Sequence, residues 1–513
     1  MQKDWLWRPG LIVFISNVCV MTIELVAGRI IAPYVGVSLY TWTSVIGVIL
    51  AGMSAGNFIG GKLADRFASR RTLGVLFILA GLGSLSVLLA INTLGDLGLS
   101  ILPGLPLVAR MVLFVAAIFF LPSAVLGTIS PLVVKLTLSD LSRTGNVIGR
   151  IYALSALGSI LGTFATGYYL ISWFGTRAIL MGVGIALIVM GVLLGQWLRR
   201  NIIPAAVSVV IIAAPFVLPV QPVLAGLCLR ETNYFCIRVR EQDAEDGIRV
   251  RVLTLDRLVH SYSSLEDPRR LVYGYEKVAA EVTEYMDKQG QPINSLFIGG
   301  GGYTFPRYLE AMYPASTIDV AEIDPQVTEI AHLMLGLSRD TRVQSYNEDA
   351  RTFIKQLPAD KRYNLVLGDA FNDFSVPYHL TTKEFNDLVR AHMTDDGIYV
   401  LNLIDGVNQP FVSAFMRTLK QTFSHLYFIP TSSSWETLSR NTYIILATLQ
   451  PLDEAKLRQA AGNDKVRSID SWLVPQSRVD ALLANGTQYL LTDDYVPVDN
   501  LLAPMFEASA ASK

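Results

Sequence analysis

A run of glycines followed by three spaced carboxylates is the part of this sequence best suited to chemistry. In "NSLFIGGGGYTFPRYLE" (294–310) an apolar run enters Gly299, Gly300, Gly301 and Gly302 and leaves in a helical pattern. A strand, a glycine turn and a helix in that order bring backbone N–H groups close to a ligand. Glu322 ends the next apolar run, at about the spacing expected of an acid that meets a ribose diol. Asp349 ends the third run and Asp369 the fourth, with Asp373 just beyond. A carboxylate so placed can take the proton of an amine as that amine attacks carbon. A glycine loop alone is a weak signal, since Asp and Glu are also ordinary loop and cap residues. A loop with acids at the next three strand ends is a much stronger one.

The elements that carry these residues are legible in the hydrophobic pattern. From 232 to 262, "YFCIRVRE" and "IRVRVLTL" alternate around the turn residues "DAEDG", which predicts a β-hairpin unit. A helix is expected over 268–288. Strands then alternate with helices: "SLFIGG", "STIDVAEID", "TRVQSYNED", "YNLVLGDA" and "GIYVLNLI", separated by stretches such as "PQVTEIAHLML" and "TKEFNDLVRAHM". That alternation implies a parallel, doubly wound α/β Rossmann-like sheet. Its ligands bind at the carboxyl ends of the strands.

The N-terminal half is of another kind. The chain has 513 residues, 51% hydrophobic and 17% charged, and charge is nearly absent from long stretches before residue 225. Seven apolar segments are long enough to cross a bilayer, near 11–33, 40–60, 72–92, 109–134, 147–172, 177–197 and 202–224. The first is followed by no small-residue cleavage site and by further spans, so it is not a removable signal. The apolar stretch 93–108 carries Pro103 and Pro106 and reads as a loop or re-entrant piece. Three domains result: a multi-pass α-helical membrane domain over 1–225, a β-hairpin unit over 226–267 and an α/β catalytic domain over 268–513. Gly52, Gly56 and Gly60 form a small-residue stripe that lets helices approach. "GGKLADRFASRR" after it is similar to the loop after the second helix of major-facilitator transporters. Glu24 and Arg29 lie within the first span, either as a functional site, as a buried structural pair, or with Arg29 reaching the interface.

Lys3, Arg8, Lys62, Arg66, Arg70, Arg71, Lys135, Arg143, Arg150, Arg199 and Arg200 fall on one side of these spans. Only Arg29, Arg110 and Arg177 fall on the other. The positive-inside rule puts the first set in the cytoplasm. Seven crossings then leave the C-terminal domain extracytoplasmic, on the periplasmic face of an inner membrane. Cys228 and Cys236, just past the last span, can pair as a disulfide in such a compartment, the alternative being two buried thiols. The net charge of −1 gives no reason to expect a nucleic-acid partner, and no cysteine spacing suits a metal.

From 232 to 505 the chain resembles the spermidine synthase family of polyamine aminopropyltransferases, in its membrane-fused branch. The residues that carry the resemblance are "LFIGGGGYTFPRYLE", "DVAEIDPQV", "NEDARTFI", "LVLGDAFNDFSVPYHLTTKEF" and "LTDDYVPVDNLL". It implies the fold of S-adenosylmethionine methyltransferases and spermidine synthases. It implies that Gly299, Gly300 and Gly301 sit against the side chain of an adenosyl sulfonium, that Glu322 holds the ribose and Asp349 the adenine, and that Asp369 deprotonates the attacking amine. Gly302 and Tyr303 stand where the family has an Asp that binds the aminopropyl amine. Tyr273, Gly274, Tyr275 and Glu276 stand where it has a Tyr-His-Glu stretch. A Gln of the family is replaced around His260. Tyr275, Glu276 and His260 are therefore candidate lining residues, with Asp373, and with Asp493 and Asp494 on a tail loop that could fold over the pocket.

Two enzymes fit. One is an aminopropyl- or S-adenosylmethionine-type transferase using decarboxylated S-adenosylmethionine or S-adenosylmethionine and a small amine. The other is a cofactor-free enzyme of the same fold acting on the N-termini of exported peptides, such as a glutaminyl cyclase. There Asp369 takes the α-amine proton and Glu322 assists departure of ammonia. Neither needs a metal, and both are partnered by the lipid bilayer. A third reading is a transporter with a regulatory soluble module, although seven spans are few for a major-facilitator carrier.

Overall fold

The computed structural model describes residues 7–95, 97, 104–138, 144–195, 226–244, 247–287, 292–370, 376–462 and 467–511. The span expected at 202–224 and the candidate Asp373 lie outside the described residues. The chain divides into two compact units, Met1–Cys236 and Ile237–Lys513.

The first unit is helical. Its helices are Trp7–Val35, Leu39–Phe67, Arg70–Leu94, Leu107–Gly127 continuing as Ile129–Thr137, and Thr144–Ala165 running through the π-turn Thr166–Leu170 into Ile171–Leu194. Among the described residues, five helical stretches are long and apolar enough to cross a membrane. The last spans 51 residues, about 77 Å at helical rise and more than twice a hydrocarbon core of about 30 Å. It breaks at Gly175, where φ is 74° and ψ 163°. The crossings expected at 147–172 and 177–197 lie on either side of that break. Ser38 and Ser69 start two of the helices by accepting the N–H of Thr41 and Thr72.

Close helix approach explains the glycine stripe. A Cβ on Gly52 would lie 2.7 Å from the Phe120 carbonyl oxygen, and one on Gly56 2.0 Å from that of Ala124. The stripe is thus a packing surface. Arg29 is structural too: its guanidinium donates to the carbonyls of Tyr234 at 2.6 Å and Thr232 at 2.8 Å. The expected alternative of a Glu24–Arg29 pair is not what forms. Beyond the helices, the short strand β1 (Arg230–Glu231) precedes Cys236, which is disulfide-bonded to Cys228.

The second unit opens with β2 (Cys236–Asp243), β3 (Arg249–Leu255) and β4 (Leu258–Ser264), an antiparallel meander and so one strand more than the expected hairpin. The following helix is Gly274–Asp287 and begins later than 268. The intervening residues are otherwise engaged: Asp267 accepts the N–H of Arg269 in a turn, and Leu271 bridges Ser263 of β4.

Seven strands make the main sheet: β5 (Asn294–Ile298), β6 (Thr317–Ala321), β7 (Gln344–Tyr346), β8 (Tyr363–Gly368), β9 (Met393–Asp405), β10 (His425–Pro430) and β11 (Asn441–Thr448), in the order β10-β11-β9-β8-β5-β6-β7. The strands β5 to β9 are parallel, as the alternation predicts. β11 inserts antiparallel between β9 and β10, so the sheet is mixed and not wholly parallel. The β10–β11 hairpin lacks the intervening helix that signals a parallel crossover. Every residue of β8 is buried, which is what burial on both faces by flanking helices requires.

Candidate active site

Strand ends β5, β6 and β8 converge on one place. Gly299 directly follows β5 at φ 96°, and a Cβ there would lie 2.7 Å from the backbone oxygen of Asp369, which directly follows β8. Only glycine allows both that φ and that approach. The glycine loop and Asp369 are therefore side by side, joined also by the Asp369 N–H bond to the Ile298 carbonyl at 2.9 Å.

Asp369 is held at both oxygens. The Tyr275 hydroxyl donates to Oδ2 at 2.7 Å, and Asn402 Nδ2 donates to Oδ1 at 2.7 Å. Burial pushes its pKa up to about 6, against the two hydrogen bonds that favour its anion. It is a carboxylate poised to exchange a proton near neutrality. Tyr275 is the end of an aromatic row, with ring centroids 5.1 Å from Tyr273, itself 5.2 Å from Tyr262. Glu276, the next residue, is 1% exposed. Burial first, then the neighbouring Asp369 charge, push its pKa well above the usual carboxylate range. Its Oε2 has no hydrogen-bond partner among the described residues.

Glu322 turns inward from the end of β6. Its Oε2 accepts the Gly300 N–H at 2.8 Å and its Oε1 the Asp324 N–H at 2.9 Å. Burial raises its pKa to about 7, opposed by those backbone donors. A carboxylate has about four acceptor sites, so capacity remains for a hydroxyl donor. Gly301 faces open space: the nearest atom to a Cβ placed on it is the His260 carbonyl oxygen at 3.9 Å. His260 itself is the extra residue of a bulge in β4, between the pairs Thr254–Val259 and Leu253–Ser261. Bulges re-aim side chains beside sites, and burial pushes the His260 pKa down to about 4.

Other candidates are engaged elsewhere. Asp349 caps the helix Ala350–Gln356 through the Thr352 N–H, and its Oδ2 lies 2.7 Å from His379 Nε2. Burial raises its pKa, but the His379 and Thr352 bonds outweigh that and leave it below the usual value. An adenine would have to share an acid that His379 already holds. Asp493 is exposed and ion-paired. Arg351 clamps it with Nη1 at 2.7 Å and Nη2 at 2.5 Å, and its own N–H donates to Glu384. Asp494 beside it is exposed. The fold therefore gathers Gly299–Gly301, Glu322, Asp369, Tyr275, Glu276 and His260, and leaves Asp493 held by Arg351 in a surface turn with Asp494 exposed beside it.

Asn402 and His379 were not among the sequence candidates. Asn402 had a signal, being the one amide inside the buried apolar run "YVLNLI". Gly302 has a physical reason for its identity. A Cβ there would lie 1.8 Å from Ser261 Oγ, so no larger residue fits between the loop and β4.

Residues 274–440 match the spermine/spermidine synthase domain. The second unit therefore contains a spermidine synthase-type domain on its Rossmann-like sheet, and a helical N-terminal region is fused to it. The chain is 27% identical over 249 residues to a polyamine aminopropyltransferase of Vibrio vulnificus, covering 46% of this chain and 78% of that one. It is 25% identical over 388 residues to a polyamine aminopropyltransferase of Corynebacterium efficiens, covering 71% and 72%. A shorter match, 27% over 121 residues and covering 22% and 17%, is to the eEF1A lysine and N-terminal methyltransferase of Mus musculus. Among solved structures, a probable spermidine synthase from Corynebacterium glutamicum aligns at TM-score 0.43 and 17% identity, over 49% of this chain and 93% of that one.

Proposed function

We propose that this chain is a membrane-anchored transferase that joins an aminopropyl-type group from an adenosyl sulfonium to a small amine, with Asp369 as the base. The observation that carries the reading is Asp369 itself, fixed by Tyr275 and Asn402 beside Gly299 and with its pKa at about 6. The sulfonium, when bound, supplies a carbon open to attack. The amine nitrogen forms the C–N bond to that carbon, the C–S bond breaks with its electron pair left on a neutral thioether, and the ammonium proton passes to Asp369. The leaving group needs no proton, so one base suffices. Alignment of the reacting atoms supplies much of the rate. Glu322 with the glycine loop is the cradle for the ribose. The aminopropyltransferase relatives support the reaction class.

A second reading has its own support. Ser261 excludes the acid that the family places at position 302, Asp349 is held by His379, and Glu322 at about 7 and the buried Glu276 are carboxyl groups able to carry a proton. Departing ammonia needs an acid, and a cofactor-free cyclisation of an N-terminal glutamine would use one. Calorimetry on the detergent-solubilised chain with S-adenosylmethionine, its decarboxylated form and methylthioadenosine tests the choice. Micromolar binding of the decarboxylated form supports the transferase. No binding of any of the three, with ammonia release from a glutaminyl peptide, supports the cyclase.

A further inference from the structure

A cavity of about 660 Å³ in the helical unit lies among helices Trp7–Val35, Leu39–Phe67, Ile129–Thr137 and Thr144–Ala165. Position along the helices orders the lining, which also includes Val13, Val134, Leu138, Ile148 and Ile151. At one end Lys135 Nζ meets Asp65 Oδ1 at 2.9 Å, and both side chains are more than half exposed. The middle is lined by Asn17, Asn57, Ser130 and Tyr152. The far end is Val20, Met53 and Leu126. Met53 and Asp65 are twelve positions apart on one helix, so the cavity reaches about 18 Å along it, more than half the thickness of a hydrocarbon core.

Charge and order restrict what fits. Among the described residues, Asp65 and Lys135 are the only charged side chains in the lining, so the cavity is net neutral. A free anion or cation would find its counter-charge already paired. A zwitterion can instead open the pair, its ammonium going to Asp65 and its anion to Lys135. The exchange costs little, because an exposed ion pair adds little stability. Amide and hydroxyl donors lie one layer deeper, where ester carbonyls would follow a charged headgroup. The apolar end suits the start of an acyl chain. We propose that this cavity binds a zwitterionic aminophospholipid, with headgroup on Asp65 and Lys135 and acyl chain toward Met53. The proposal rests on the helices being membrane spans and is independent of which reaction the second unit performs.

Gly61 provides a clean test. It lines the cavity, and a Cβ on it meets nothing within 4 Å, so Gly61→Leu fills the space without disturbing helix packing or the ion pair. The full chain, purified in dodecyl maltoside, is titrated by native mass spectrometry with palmitoyl-oleoyl phosphatidylethanolamine, with the phosphatidylglycerol of the same chains, and with water-soluble phosphoethanolamine. One phosphatidylethanolamine per chain is expected, held roughly tenfold more tightly than phosphatidylglycerol. Gly61→Leu and Asp65→Asn should each weaken it by about the same factor. Circular dichroism checks that each variant folds, and Gly61→Leu carries the test if Asp65→Asn does not. Equal affinity for the two lipids, unchanged affinity in Gly61→Leu, or binding of phosphoethanolamine without the lipid overturns the proposal.

Discussion

Tyr275 and Asp369, 94 residues apart in the chain, meet through a 2.7 Å hydrogen bond in which the phenol donates to the carboxylate. That contact joins the helix after the β-meander to the end of β8. It gives the carboxylate a fixed direction and resists the rise in pKa that burial imposes. Asn402 does the same from the neighbouring strand.

Asp369→Asn should abolish turnover, by about 10²–10⁴-fold, since a positioned base contributes that much. In the wild type the rate should rise with pH through about 6 as Asp369 ionises. The same variant should be the more stable protein at neutral pH. The folded pKa lies above the ordinary 3.8, so the contribution of Asp369 to stability is full below that value and lost as pH rises through about 6. Thermal unfolding at pH 4 and pH 8 checks it, with a gain on the order of 2–3 kcal/mol expected for the variant only at the higher pH.

Tyr275→Phe removes a donor that favours the Asp369 anion. The acid limb of the rate profile should move upward by about one pH unit, with the rate at pH 9 much less affected than the rate at pH 6. A pH series on both proteins reads this directly. An unchanged limb would remove Tyr275 from the tuning of the base.

Glu322→Gln keeps the shape of the side chain but replaces one acceptor oxygen with an amide. If the site holds an adenosyl ligand, calorimetry should show binding weakened by about 1–3 kcal/mol. If the site is a cyclase, the wild type binds no adenosyl ligand and ammonia release falls in the variant instead.

Gly302→Ala places a methyl group on Ser261 Oγ and should destabilise the second unit by about 1–3 kcal/mol. Ser261→Gly in the same chain should restore most of that. Denaturant unfolding of the single and double variants provides the comparison, and additive losses would mean the contact is not the reason for the glycine.

Cys228 and Cys236 bridge across a sequence separation of 8. Loop entropy gives such a bridge about 2–3 kcal/mol, and it persists in an oxidising compartment. Alkaline phosphatase fused after Lys513 should be active in intact cells and green fluorescent protein dark. The reverse pattern, or free thiols at both cysteines in fresh membranes, would put the second unit in the cytoplasm.

The sequence by itself determined the five parallel strands and the residues at their ends. Buried parallel strands must be short apolar runs, and the first polar residue after each run is where the chain leaves the sheet, so Gly299, Glu322, Asp349 and Asp369 could be read from local pattern alone. It also marked the helices of the first unit, because a stretch long and apolar enough to cross a bilayer cannot hide its composition. What it could not assign was partnership. Asp349 and Asp493 read as free acids, and only the fold gave them His379 and Arg351, from 30 and 142 residues away. The antiparallel insertion of β11 was equally hidden, since alternation of elements fixes neither strand order nor direction once a helix is missing between two strands. Asn402 reached Asp369 for the same reason: β9 lies beside β8 in the sheet. Local hydrophobic period is a property of a dozen residues, whereas hydrogen-bond pairing and pKa depend on which strands become neighbours, and that is settled only when the whole sheet packs.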